Sequence, residues 1–159
     1  MKIGLIVFSL TGNTLKVAQA LESSLKDAGH DPQILRVTVA SSDTKDAQTP
    51  VLVDKPDPSG FDMVYFAAPV QAFSLAPAMA AYLRQMPALG GKRVACFMTQ
   101  HFPYRWMGGN HALGQLKAAL AAKGASMTAS GVVNWSRKDR DQQVAQLLGE
   151  LTAASPVNL

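Results

Sequence analysis

Lys2-Ile3-Gly4-Leu5-Ile6-Val7-Phe8-Ser9-Leu10-Thr11-Gly12-Asn13-Thr14 opens the chain, and the change of character at Ser9 decides how the rest is read. Ile3 to Phe8 is apolar apart from Gly4, as expected of a central strand in a parallel sheet covered on both faces. Beyond it Leu15, Ala18, Leu21 and Leu25 recur at helical spacing, with Lys16, Gln19, Glu22 and Lys26 between them, and Gly29 supplies a stop. The junction reads strand, hydroxyl-rich turn, helix. The hydroxyls of Ser9, Thr11 and Thr14, with Gly12 and the Asn13 amide, stand where the unpaired N–H groups and positive dipole end of that helix begin. This is the composition of a phosphate cradle. One hydroxyl suffices for an ordinary N-cap, so the surplus points to a ligand. No lysine lies in the turn and Gly-x-x-x-x-Gly-Lys-Ser/Thr does not occur, which argues against a nucleotide triphosphate loop; Gly-x-Gly-x-x-Gly is also missing after this strand.

With 159 residues and 48% hydrophobic content, the chain is long enough for one well-buried core and too short for two, so residues 1–159 read as a single domain. The N-terminus has no basic leader pattern and no apolar run reaches bilayer length, so the expectation is a soluble, cytoplasmic protein without a membrane span. Cys96 is the only cysteine and sits among Val94, Ala95 and Phe97, which reads as a buried thiol. His30, His101 and His111 are too scattered for ligand spacing, and no metal site is assigned. The net charge of +4 suits an acidic partner or an anionic surface. Nucleic acid is not expected, because lysine and arginine are spread along the chain and acids interrupt even Arg137-Lys138-Asp139-Arg140.

Further along, Gln33 to Val39 alternates as a sheet-edge strand does, and Ala40 to Gly60 turns polar with Pro50, Pro56 and Pro58 blocking a long helix. A short helix near Asp43 to Gln48 and a turn at Pro56 to Gly60 are expected there. Met63 to Ala68 predicts the third strand, Pro69 to Ser74 a loop, and Leu75 to Gln85 a helix with Pro77 in its first turn. Arg93 to Thr99 predicts the fourth strand, and Leu113, Leu116 and Leu120 a helix capped by Gly124. Met127 to Asn134 predicts the fifth strand and Asp139 to Ala153 a closing helix. Such alternation without an internal repeat argues a doubly wound α/β sheet, in which ligands collect outside the carboxyl ends of the strands near the reversal of strand order. The loops after the first, third and fourth strands are the places to look.

The opening segment closely resembles the FMN-phosphate signature of flavodoxins, Ser/Thr-x-Thr-Gly-x-Thr after the first strand, and the length and element order are similar to the short-chain form with five strands and five helices. The resemblance implies a flavodoxin-like five-stranded parallel sheet of strand order 2-1-3-4-5 with helices on both faces, and FMN as cofactor. It puts Ser9, Leu10, Thr11, Gly12, Asn13 and Thr14 on the phosphate. The segment Ala67 to Ser74 resembles the family's Ser-Pro-x-Tyr-x-Gly stretch, with Gln71 in place of the aromatic, and so puts Pro69, Val70, Gln71, Ala72 and Phe73 beside the flavin. Phe73 reads equally as a packing residue or as a contact to the ring edge. In the third loop Phe102, Tyr104 and Trp106 crowd one connection, which favours a flat ligand over an aromatic cluster folded on its own domain or a dimer contact. Thr99, Gln100, His101, Trp106, Gly108 and Gly109 are its candidate contacts, Trp106 for stacking and the glycines for close backbone approach.

The implied function is an FMN-binding redox protein acting in electron transfer, to a redox partner protein or a small acceptor such as a quinone. No catalytic acid or base is required of the chain, since the cofactor carries the chemistry. Two alternatives stand beside it: an NAD(P)H-dependent quinone or FMN reductase of the same fold, favoured by the basic charge, and a cofactor-free binding module. A homo-oligomer is left open.

Overall fold

The computed structural model describes residues 1–40 and 50–156. Five strands run parallel in one sheet: β1 (Lys2–Val7), β2 (Asp31–Arg36), β3 (Met63–Gln71), β5 (Arg93–Gln100) and β6 (Ser126–Asn134), in the order β2-β1-β3-β5-β6. The short β4 (Ser74–Leu75) turns back antiparallel onto the end of β3. Leaving β4 aside, this is the expected order 2-1-3-4-5. The α-helices are α1 (Asn13–Asp27), α2 (Pro77–Gln85), α3 (Gly109–Ala122) and α4 (Arg140–Ala153).

Strand alternation divides the core into two layers. Ile3, Leu5, Val7, Met63, Tyr65, Ala67, Ala95, Phe97 and Val133 face Val17, Leu21 and Leu25 of α1 and Leu147 and Leu151 of α4. Ile6, Phe8, Val64, Phe66, Cys96 and Met98 point to the other face, against Met79, Tyr82 and Leu83 of α2 and Leu113, Leu116 and Leu120 of α3. Near-continuous apolar runs are what a doubly covered strand requires, and each fully buried leucine or isoleucine contributes about 1.5–3 kcal/mol. Gly4 interrupts the first run because a Cβ there would stand 2.9 Å from the Phe61 ring. Cys96 lies fully buried in this second layer, its Sγ 3.8 Å from Met127 Sδ.

Helix ends follow the glycines. His30 N–H donates to Leu25 O and Ala125 N–H to Leu120 O, each across a left-handed glycine, Gly29 and Gly124. Two expectations change. Pro69 to Ser74 is not a loop: β3 continues to Gln71 and meets β4 through the two-residue turn Ala72–Phe73, whose φ values of 47° and 64° neither residue type favours. Because Ser74 and Leu75 are used in that pairing, α2 starts at Pro77. The described residues hold four α-helices, at the places of four of the five expected. Between β2 and β3, Val39 and Leu52 form an antiparallel bridge, and Pro58–Gly60 forms a 3₁₀ turn with Asp57 Oδ1 accepting from Ser59 N–H. The short helix expected at Asp43 to Gln48 lies outside the described residues.

Candidate functional site

Each parallel strand delivers its chain to the same end of the sheet, and α1, α2, α3 and α4 start there. The carboxyl ends of β1, β3 and β5 therefore bring together Ser9 to Thr14, Pro69 to Phe73, and Thr99 to Gly109.

The first loop turns through Gly12, which stands before α1 with φ 94°, a left-handed value that glycine tolerates, and with no side chain capping the helix. Ser9 Oγ lies 3.4 Å from Leu15 N, the long end of hydrogen bonding. Thr11 and Leu10 are exposed and Asn13 half-buried, so most of the hydroxyl and amide surplus is not consumed by capping. Thr14 behaves differently. Its side chain is buried, and its hydroxyl sits 2.7 Å from that of Thr99, tying the start of α1 to the end of β5.

A cleft of about 260 Å³ opens beside this loop, lined by Leu10, Thr11, Asn13, Pro69, Val70, Thr99, Gln100 and His101. A second cleft of about 240 Å³ shares Val70, Gln100 and His101 with it and runs on between Ala72, Phe73 and Phe102. Phe73 and Phe102 stack there, ring centroids 5.4 Å apart and planes within 3°. Trp106 stands further out, 75% exposed, stacked on Tyr104 at 6.2 Å. Gln71 is half-buried at the end of β3, its partner across the turn being Ser74.

Both flanking loops are held from behind. Gly108, with φ 113°, lets its backbone lie against the hairpin, since a Cβ would come within 2.8 Å of Phe73 Cα. Gly109 is similarly closed in, by Val132 and the Gln100 side chain. Leu75 N–H donates to Gln115 Oε1 of α3, which fastens β4. Gln100 Nε2 donates to Tyr104 O at 2.6 Å and to Asn134 Oδ1 at 2.5 Å. Asn134 Nδ2 donates to Gln143 Oε1, and Gln143 Nε2 donates to Asp139 Oδ1. Hydrogen bonds from Arg137 and Gln143 hold the Asp139 carboxyl below its usual range, so the chain ends on an anion. That anion sets the direction of every amide. Gln100 is left with its Oε1 buried and without a partner, at the wall shared by the two clefts. A buried acceptor without a donor costs about 1–3 kcal/mol unless something supplies one.

Of the residues singled out from the sequence, the structure brings Leu10, Thr11, Asn13, Pro69, Val70, Ala72, Phe73, Thr99, Gln100 and His101 to the clefts. Trp106 and Gly108 line a neighbouring notch with Phe73, and Gly109 packs behind Gln100. Phe102, Gln115, Asn134, Gln143 and Asp139 were not among the site residues expected. The amide chain had no signal in the sequence, because its members lie on β5, β6 and α4.

No protein-family model matches the sequence, and no curated protein sequence does. Solved structures match it along its whole length. A flavodoxin from Streptococcus pneumoniae TIGR4 is 19% identical with a TM-score of 0.67, covering 98% of this chain and 100% of its own. Oxidised flavodoxin 1 from Bacillus cereus is 18% identical with a TM-score of 0.68 over 98% and 100%. A flavoprotein in complex with FMN from Lactobacillus acidophilus NCFM is 18% identical with a TM-score of 0.63 over 92% and 97%. Strand order, helix placement and full-length coverage agree: the chain has the flavodoxin-like fold.

Proposed function

We propose that this protein binds FMN at the carboxyl ends of β1, β3 and β5 and serves in electron transfer. The observation that carries the reading is the start of α1: a helix N-terminus with a left-handed glycine and no side-chain cap, under a loop of hydroxyls and an amide, opening into a cleft at the reversal of strand order. Neutral donors hold a phosphate dianion through charge-assisted hydrogen bonds, so no lysine is required. Thr11, Asn13, Ser9 and the backbone N–H groups of the loop would hold the phosphate. Thr14 would contribute its N–H while its hydroxyl braces Thr99.

The second cleft supports the same occupant. The flat aromatic walls at Phe73 and Phe102 suit a ring, and the partnerless Gln100 Oε1 matches the donor character of a flavin imide N–H. FMN, when bound, supplies the one- and two-electron chemistry. The chain binds the phosphate, orients the ring and excludes water at its buried edge. The strained turn at Ala72–Phe73 forms part of that wall, and strain of this kind gathers at ligand clamps. The flavodoxins that share the fold, one flavoprotein among the relatives carrying FMN, are consistent with this reading.

Titrating FMN and riboflavin into the purified protein and following flavin fluorescence tests it. FMN should be quenched and bind more tightly, and Thr11→Val with Asn13→Ala should weaken FMN by about tenfold or more while leaving riboflavin nearly unchanged. Equal losses for both flavins would remove the phosphate site. The absence of carboxylates from the three loops favours a second reading, reduction of the flavin by NADPH. Oxidation of NADPH with a quinone acceptor separates enzyme from carrier.

A further inference from the structure

We infer that the end of the molecule around Trp106 is a docking surface for an acidic protein that inserts an apolar side chain. Tyr104 and Trp106 stand exposed outside the two clefts, at 50% and 75%, and Leu10, Phe73 and Phe102 continue the apolar surface along the cleft rims. An exposed apolar cluster is informative where isolated exposed residues are not. Beside it is a notch of about 380 Å³ lined by Phe73, Trp106, Met107, Gly108 and His111, whose walls are mostly apolar. A notch of that lining receives a leucine- or tyrosine-sized anchor, the usual centre of a protein interface.

Charge names the partner. From Met63 to Lys138 the sequence has no aspartate or glutamate; of its eight lysines and arginines, Arg105, Arg137 and Lys138 stand at this end, whereas Arg84, Lys92, Arg93 and Lys123 lie at the opposite end, where α2 and α3 finish and β5 begins. The turn before α1 and its first residues likewise run to Lys16 without an acid. All four helices begin at this end, so their positive dipole ends add to the field. Asp139, the nearest acid along the chain, is occupied by Arg137 and Gln143. Arg105 has no carboxylate partner among the described residues. Asp27, Asp31 and Asp62 lie at the opposite end, where α1 finishes and β2 and β3 begin. The loops after β1, β3 and β5 thus present an apolar face that carries no carboxylate of its own, flanked by Asp139 and Asp141 where α4 begins, and Lys16, Arg105 and Lys138 leave it open to an acidic surface. Arg137 over the Tyr104 ring, at 5.5 Å, and Tyr104 on Trp106 make one continuous stack leading from the charge to the notch.

The inference does not depend on FMN and is tested without it. In a Trp135→Phe background, Trp106 is the one tryptophan, and its emission reports the notch. The probes are poly-L-glutamate and a glutamate–tyrosine copolymer, with duplex DNA as the competing polyanion. The copolymer should shift Trp106 emission to the blue and bind more tightly than poly-L-glutamate. Affinity should fall about tenfold or more as salt rises from about 0.01 to about 0.15 M, over which the screening length shrinks from about 30 to about 8 Å. Lys16→Glu with Arg105→Glu should abolish the shift, Arg105→Gln should weaken it, and Lys26→Glu at the far end of α1 should leave it unchanged; far-UV dichroism confirms that each variant is folded. Silence of Trp106 with both polypeptides, equal binding by the Arg105 and Lys26 variants, or tighter binding of DNA than of the copolymer would each overturn it.

Discussion

Replacing Thr14 by valine keeps the shape of a side chain that is 1% exposed but deletes a hydroxyl that lies 2.7 Å from its partner on Thr99, itself 3% exposed. The hydroxyl left behind on Thr99 has little access to solvent. A buried polar group stripped of its partner costs about 1–3 kcal/mol, so Thr14→Val should destabilise the fold by that amount. For a chain of this size each kcal/mol lowers the melting temperature by about 2–4 °C. Thr99→Val should cost a similar amount for the same reason. The double variant is the decisive one: two apolar groups of matching shape then face each other, nothing is left unsatisfied, and the loss should shrink to well below the sum of the single losses, with a coupling of about 1 kcal/mol or more. Urea unfolding followed by far-UV dichroism measures all four proteins. Single variants within about 0.5 kcal/mol of the parent, or losses that simply add, would refute the pairing. The same pairing predicts that Thr99→Val, which removes no phosphate donor, weakens FMN less than Thr11→Val does.

Gly108→Ala forces a Cβ to within 2.8 Å of Phe73 Cα at φ 113°, so it should destabilise by about 1–3 kcal/mol and shift the near-ultraviolet dichroism of the aromatic end. Ala72→Asn places a residue that tolerates φ near 47° in the two-residue turn and should stabilise by a few tenths to about 1 kcal/mol in thermal unfolding. Burial pushes Tyr65 from 10 up to about 12 and Cys96 from 9 up to about 12. The folded state therefore keeps protons that the unfolded chain releases. Their contribution is complete below about pH 9 and is lost as pH rises through about 12, so melting temperature should fall across that window, less steeply in Cys96→Ala.

The sequence announced the parts of this fold whose signals are local. An apolar run before a hydroxyl-rich turn gave β1 and α1, and glycines at 29 and 124 marked helix stops because a left-handed residue is needed there. The Ala72–Phe73 hairpin was hidden for the same physical reason in reverse: neither residue advertises a positive φ, and only the β3–β4 pairing and the Gln115 clamp hold it. Thr14 was legible as a hydroxyl in a cradle. Its bond to Thr99 was not, because 85 residues separate the two and only the strand order brings them together. The amide chain from Gln100 to Asp139 was equally silent, since nothing about a lone Gln or Asn states which way its dipole will be set.

Cys96 sits on a central strand with no exposure, its thiol held neutral at ordinary pH. Its sequestration makes this an unusually clean molecule for electrochemistry. No thiol competes at the electrode, no disulfide-linked dimer forms as samples age in air, and dithiothreitol can be left out of the cell, so electrons counted in a titration with added FMN would be those taken up by the flavin.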